Sequence, residues 1–397
     1  MTSQNPAEGF WVATWGTAIL TPTNEEEQIP VSPRLQGSTL RQQIRTSLGG
    51  KTLRLVISNE YGDRGLEIEK ITVAKLLDPH SHEIDVATVS ELKLGGKGAF
   101  TVSAGERITT DPLDFEFSPL CDLAVTMELK NAPDSMQTLS CHTASRCHAW
   151  VTEGRHASDN DFEKTQVMTS WYYICGLHTL AEKDCGAIVC LGDSLTDGAS
   201  VTTNGFSRYT DELARLLQNA PSLSRLGVVN MGIGATALYY YGGEIAGTVR
   251  ANRDVFPIPG AKYCVLFMGV NDIGASHEDI SQNIINEYKS VIERCRKNEI
   301  KIFGCTITPF KGNAYYSELH ENIRLEVNRF VLSDDSGFDG VIDLAATVAS
   351  KDDPAQLERK YVSVWNDFLH FDDDGYKLIG QTVFNHIKDF IDREEKP

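Results

Sequence analysis

No run of apolar residues in this 397-residue chain approaches the ~18 that a membrane-crossing helix needs, so no membrane span is expected. Positive charge is scarce. The 37 lysines and arginines face 55 aspartates and glutamates, for a formal net charge of -18, and the acidic residues are spread along the chain. That balance disfavours nucleic acid and anionic membrane surfaces as partners. Nine cysteines are too few for a disulfide scaffold, and an odd number cannot all pair within one chain. No Cys-x-x-Cys pair occurs, and the spacing of Cys141 and Cys147 around His142 and His148 matches no common zinc pattern. No metal and no cofactor are therefore expected. The N-terminal Met-Thr-Ser-Gln-Asn-Pro segment has neither a basic nor an apolar leader region, and no Asn-x-Ser/Thr acceptor occurs. A cytoplasmic location is expected, the other reading being a leader already removed. Internal repeats, low-complexity tracts and long linkers are also lacking.

The length exceeds that at which a single core stops growing, which favours two domains. A composition 41% hydrophobic and 23% charged suits an ordinary soluble globular protein. From Trp11 to His178 the chain is mostly short and alternating, as in Thr52–Ile57, Leu66–Val73 and Leu123–Leu129. Turn formers punctuate it at Gly49-Gly50, Asn59–Gly62, Gly95-Gly96 and Gly105. Period-two alternation with such breaks predicts an antiparallel sandwich or barrel. After residue 181 the rhythm changes. Apolar strands are expected at Ala187–Leu191, Gly227–Met231, Tyr263–Met268, Ile300–Thr306 and Gly340–Leu344, with helices at Arg208–Gln218, Ile280–Lys297, Ser317–Leu332 and Tyr376–Phe390. Strand and helix in alternation predict a parallel sheet covered on both faces, and hence domains at 1–180 and 181–397.

Ligands of such sheets bind at the carboxyl ends of the strands. Gly192-Asp193-Ser194-Leu195 follows the first strand, Asn230-Met231-Gly232 the second and Gly269-Val270-Asn271-Asp272 the third, while Asp367-Phe368-Leu369-His370 precedes the last helix. A neutral hydroxyl needs a base, and the base an orienting partner. Ser194 is the candidate nucleophile, His370 the general base and Asp367 the group that orients it. The Ser194 and Gly232 N–H groups and the Asn271 side-chain amide are candidate donors to a developing oxyanion. Asp193, Thr196 and Asp197 are assigned to turn geometry and capping, and Asp272 to support. Arg208, Arg250 and Arg253 could meet an acidic substrate, but surface salt bridges are the commoner fate of helix arginines.

These blocks, in this order over residues 184–392, resemble the GDSL or SGNH hydrolase family. The resemblance implies a flavodoxin-like three-layer α/β/α domain that hydrolyses esters without a metal. No Gly-x-Ser-x-Gly elbow of the ordinary α/β-hydrolase kind occurs. Trp11–Trp15, Thr39–Gln42 and Ser58–Gly62 resemble a subgroup in which an antiparallel β-sandwich precedes that domain, and a structural reading, as core anchors and a turn, is favoured over a direct substrate role. The expected function is a serine esterase acting on short-chain acyl or acetyl esters of small molecules or sugars. An acyltransferase using the same triad is one rival, and a glycan- or partner-binding protein with an inactive hydrolase domain is another. Tyr239, Tyr240 and Tyr241 fall beside the proposed oxyanion donors and are candidate pocket residues, solvent-facing or core roles being equally open. The oligomeric state is left open.

Overall fold

The computed structural model describes residues 10–21, 34–133, 135, 137–160, 162, 165–241 and 243–394, so the Met1–Pro6 segment read above lies outside the described residues. The chain divides into two compact units, Met1–Cys185 and Gly186–Pro397.

The first unit is built from antiparallel sheets. One holds Phe10–Gly16, Ile174–Ala181, Gly50–Ser58 and Arg107–Thr109 in that order, with Leu113–Phe117 also paired to Gly50–Ser58. A second orders Gln166–Met168, Ala149–Glu153, Ser38–Arg45, Asp122–Asn131, Leu66–Lys75 and Ser90–Glu91, with Phe100–Val102 beside Leu66–Lys75, and a third pairs Cys141–His142 with Trp171–Tyr172. The alternating stretches of the sequence lie within these strands, where Leu53, Leu55 and Ile57 point to one buried face. Trp171 pins the sheets together. It stands edge-on to Trp15 with ring centroids 5.1 Å apart and donates its indole N–H to Gln43 O at 2.7 Å. Asn59 makes a turn rather than a surface feature: its amide donates to Arg64 O and Val102 O at 2.8 and 3.0 Å. No disulfide joins the cysteines among the described residues.

The second unit carries a five-stranded parallel sheet. Its strands are, in chain order, Gly186–Gly192, Leu226–Gly232, Ala261–Phe267, Lys301–Cys305 and Gly340–Ile342. In space the second strand pairs with the first, the first with the third, and the third, fourth and fifth follow. This 2-1-3-4-5 order is flavodoxin-like, and its switch point lies between the first and third strands. The first strand is buried at every position, as a central parallel strand must be. The helices are α1 (Ser194–Asp197), α2 (Tyr209–Gln218), α3 (Gly247–Asp254), α4 (Val270–Ala275), α5 (Ser281–Lys297), α6 (Glu318–Val331), α7 (Leu344–Val348) and α8 (Asp373–Glu394). Helix α2 packs on α8, and α5 on α6 and α3.

The long amphipathic helices α2, α5, α6 and α8 fall where their apolar spacing predicts them. Helix α3 is not among the expected helices, because its sequence Gly-Thr-Val-Arg-Ala-Asn-Arg-Asp offers only Val249 and Ala251 as apolar side chains and its buried face includes Arg250 and Asp254. The surface salt-bridge reading of the arginines is thereby corrected for two of them. Arg250 is fully buried and donates to Met231 O at 2.6 Å and Gly192 O at 2.5 Å, while pairing with Asp254 at 3.3 Å. Arg208 is buried and donates to Asp197 O at 2.8 Å. Arg253 keeps an ion pair, to Asp254 at 2.7 Å. Strand-end carbonyls leave lone pairs that the sheet does not use, and a buried guanidinium satisfies several at once.

Candidate active site

The first strand runs into α1 through Gly192 and Asp193. A Cβ on Gly192 would lie 1.8 Å from Thr196 Oγ1 and 2.9 Å from Phe267 O, so only glycine lets the chain turn there. Asp193 caps α1 by accepting from Leu195 N at 3.0 Å, and Gly198, at φ 90°, ends the helix after one turn. Ser194 therefore sits at the first helical position, at the carboxyl edge of the sheet and beside its switch point.

His370 Nε2 lies 2.9 Å from Ser194 Oγ, and His370 Nδ1 lies 2.6 Å from Asp367 Oδ2. A carboxylate accepts only, so Asp367 selects the tautomer with hydrogen on Nδ1 and leaves Nε2 to accept from Ser194. Asp367 Oδ1 takes the Leu369 and His370 N–H groups, each at 3.1 Å. Burial opposes ionisation of Asp367, but the His370 ring bond and charge together with these N–H groups outweigh it, and the carboxyl falls to about 2. The residues on either side, Asn366 and Phe368, take φ of 53° and 56°. Such left-handed backbone is costly for a side chain as large as phenylalanine. The Phe368 ring is held against Gly312 and under the Arg359 guanidinium, 5.1 Å from the ring centre. Trp365, half exposed, stands edge-on to the His370 ring at 5.1 Å.

The second strand's contribution differs from expectation. The Gly232 N–H, read from sequence as an oxyanion donor, is already given to Asn230 Oδ1 at 2.8 Å. Gly232 is needed for room instead: a Cβ there would lie 2.2 Å from Asp197 N. The Ile233 N–H goes to Gly192 O and the Gly234 N–H to Asp197 Oδ2. Among the described residues, the first N–H beyond this strand without an acceptor is that of Ala235, which is exposed and held at φ 59°. The Ser194 N–H likewise has no acceptor among the described residues. Asn271, on the first turn of α4 and nearly buried, donates one amide hydrogen to Thr236 O at 2.9 Å. Its second hydrogen is available to a ligand.

Asp272 is fully buried and its carboxylate accepts the N–H groups of Leu238, Tyr239 and Tyr240 at 2.7, 3.0 and 2.9 Å. The tyrosine run is thus fixed by its backbone. Tyr240 and Tyr241 are 39% and 38% exposed, and Tyr239 is half-buried with its ring edge-on to Tyr240. Burial raises the Asp193 carboxyl to about 7, against the Leu195 hydrogen bond that lowers it; the Asp272 charge adds to the rise. Asp197 holds the Gly234 N–H, and Thr196 pairs with the Tyr209 hydroxyl at 3.2 Å.

Residues 190–378 match the GDSL-like Lipase/Acylhydrolase family. The C-terminal half of the chain belongs to that family. Solved structures similar to part of the chain include an aryl esterase of M. smegmatis, at 17% identity and TM-score 0.43 over 52% of this chain and 100% of the other. An acetyl xylan esterase is similar at 24% identity and TM-score 0.40 over 50% and 98%. A GDSL-like lipase of Bacteroides thetaiotaomicron is similar at 14% identity and TM-score 0.39 over 53% and 91%. No curated protein matches the chain. In this GDSL-like domain Ser194, Asp367 and His370 come from motifs legible in the sequence. The open Ala235 N–H is not legible in the sequence because it depends on which neighbouring N–H groups are already taken, although the Gly-Ile-Gly before it marks a turn.

Proposed function

We propose that the GDSL-like domain is a serine esterase that hydrolyses carboxylic esters through an acyl-enzyme on Ser194. The observation that carries this reading is the unbroken chain of hydrogen bonds from Ser194 Oγ through His370 to Asp367, 2.9 and 2.6 Å long. Ser194 Oγ attacks the ester carbonyl carbon while His370 Nε2 takes its proton. Asp367, whose carboxyl titrates near 2, remains ionised and steadies the imidazolium. The carbonyl oxygen, now negative, is received by the Ser194 and Ala235 N–H groups and the second hydrogen of the Asn271 amide. His370 returns the proton to the departing alcohol, and a water, activated by the same imidazole, then releases the acid.

Ser194 is only 7% exposed, which supports a small acyl group, acetyl or short-chain. Trp365, 50% exposed and edge-on to the His370 ring, and its chain neighbour Val364, 85% exposed, offer the departing alcohol an apolar edge. Tyr240 and Tyr241 add half-exposed rings after the oxyanion turn. The test is the initial rate on p-nitrophenyl esters from acetyl to palmitoyl, wild type beside a Ser194→Ala variant of matched melting temperature. Turnover greatest at short chain length and lost with the serine is expected. Turnover that survives Ser194→Ala would overturn the nucleophile assignment, and wild-type inactivity on every ester would overturn the esterase reading.

A further inference from the structure

The segment between the fourth strand and α6 lies outside all four sequence motifs, yet it is bonded to both sides of the site. Tyr315 donates its hydroxyl to Asn271 Oδ1 at 3.2 Å. The orientation of that amide is fixed by chemistry: Thr236 O, a carbonyl, can only accept, so the Asn271 nitrogen must face it and the Asn271 oxygen must face Tyr315. The amide oxygen thus accepts from Tyr315, one amide hydrogen is donated to Thr236 O, and the remaining hydrogen is the one available to the oxyanion. A donor on the amide oxygen draws electrons from the nitrogen and strengthens what the nitrogen donates.

Tyr315 is itself held from several directions. Its ring packs against Gly274 of α4, where a Cβ would fall 2.3 Å from a ring carbon. Its N–H goes to Asn313 Oδ1 at 2.9 Å, and Asn313 Nδ2 in turn donates to Asp367 O at 2.8 Å. The His320 ring bridges Tyr315 O, 2.5 Å from Nδ1, and Ser276 O at the end of α4, 3.1 Å from Nε2. Lys311, two residues before Asn313, is anchored to Asp353 at 2.6 Å. A single short turn thus touches the backbone of the triad acid through Asn313 and the oxyanion amide through Tyr315.

We propose that Tyr315 is a positioning residue for the reaction, its hydroxyl holding and polarising the Asn271 amide against the oxyanion while Asn313 ties the same turn to Asp367. The inference rests on the serine-esterase reading above. An amide free to swing about its Cβ–Cγ bond would present its hydrogen to the oxyanion for only part of the time, and the loss would fall on the transition state rather than on substrate binding.

Tyr315→Phe removes the hydroxyl and keeps the ring over Gly274. It is expected to lower kcat on the order of tenfold with KM nearly unchanged, a loss comparable to one hydrogen bond to a reacting group. Inhibition by phenylboronic acid, whose boron takes the Ser194 oxygen and places a charged oxygen in the same hole, should weaken by the same factor. A purely structural role would not link those two numbers. In an Asn271→Ala background, the second substitution should cost nothing further, because the hydroxyl acts only through the amide. Unchanged kcat in Tyr315→Phe, or an equal loss with and without Asn271, would overturn the proposal alone. Wild-type kcat in Asn271→Ala would overturn the oxyanion assignment and the proposal with it, while Ser194→Ala on the same esters reports separately on the esterase reading.

Discussion

A methyl group at position 232 would stand 2.2 Å from Asp197 N and 2.7 Å from Asp197 Cα. Both atoms are backbone, so nothing flexible can give way. Gly232→Ala should therefore push the second strand and α1 apart, cost about 2–3 kcal/mol or more, and lower the melting temperature by roughly 5–10 °C in calorimetry. Asp193 and Asp367 pull the pH dependence of stability in opposite directions. Asp367 has its folded value lowered to about 2, so its contribution is complete above the unfolded value near 3.8 and is lost as pH falls through about 2. Asp193 is raised to about 7 from 3.8. The folded state keeps that proton through the intervening window while the unfolded chain releases it, so stability falls as pH rises from about 4 to about 7. Asp193→Asn retains an oxygen for the Leu195 cap and cannot titrate. Its denaturation midpoint should decline less across that window than the wild type's, and an identical decline would remove Asp193 as the cause. Ser194, Asp367 and His370 could be read from sequence because the motif that holds each is local. That Asn230 takes the Gly232 N–H, while the Ala235 N–H has no acceptor among the described residues, could not, because it follows from which N–H groups Asn230, Gly192 and Asp197 accept.

Among the elements, the acidic tract Asp372-Asp373-Asp374 at the start of α8 looks in sequence like a solvated surface, and the structure gives it a task. Asp373 accepts from Thr202 N at 3.0 Å, Thr202 Oγ1 at 2.6 Å and Ser207 Oγ at 2.7 Å. Ser200 donates to Phe371 O at 2.6 Å and Tyr376 to Ala199 O at 3.0 Å. The segment after the nucleophile helix is thereby clasped to the start of the helix that follows His370. Asp373→Ala should cost about 2 kcal/mol, given three partly exposed hydrogen bonds of modest net worth. It should also raise amide hydrogen exchange through 199–207 while exchange in α5 stays unchanged. Helix α3 shows the limit of periodicity from the other side. Its buried face is built on Arg250, which reads as polar in any apolar count and yet closes the strand ends beneath Ser194.

For the whole molecule, the change from period-two strands to alternating strands and helices near residue 181 was legible, because each rhythm reflects how many faces of a strand are buried. The order 2-1-3-4-5 was not legible from the residues, since nothing in a strand's own sequence names its neighbour; it came with the family resemblance. Nor did any pattern in the chain foretell that Tyr315 would reach Asn271 from 44 positions away.

The bond from His370 to Ser194 joins groups 176 positions apart, and that from Tyr376 to Ala199 joins groups 177 apart. Loops of that length close late, after the local helices have formed. Ester turnover during refolding would then serve as a clock for completion of this domain: helical circular dichroism should recover first, and activity only when the two ends of the domain have met.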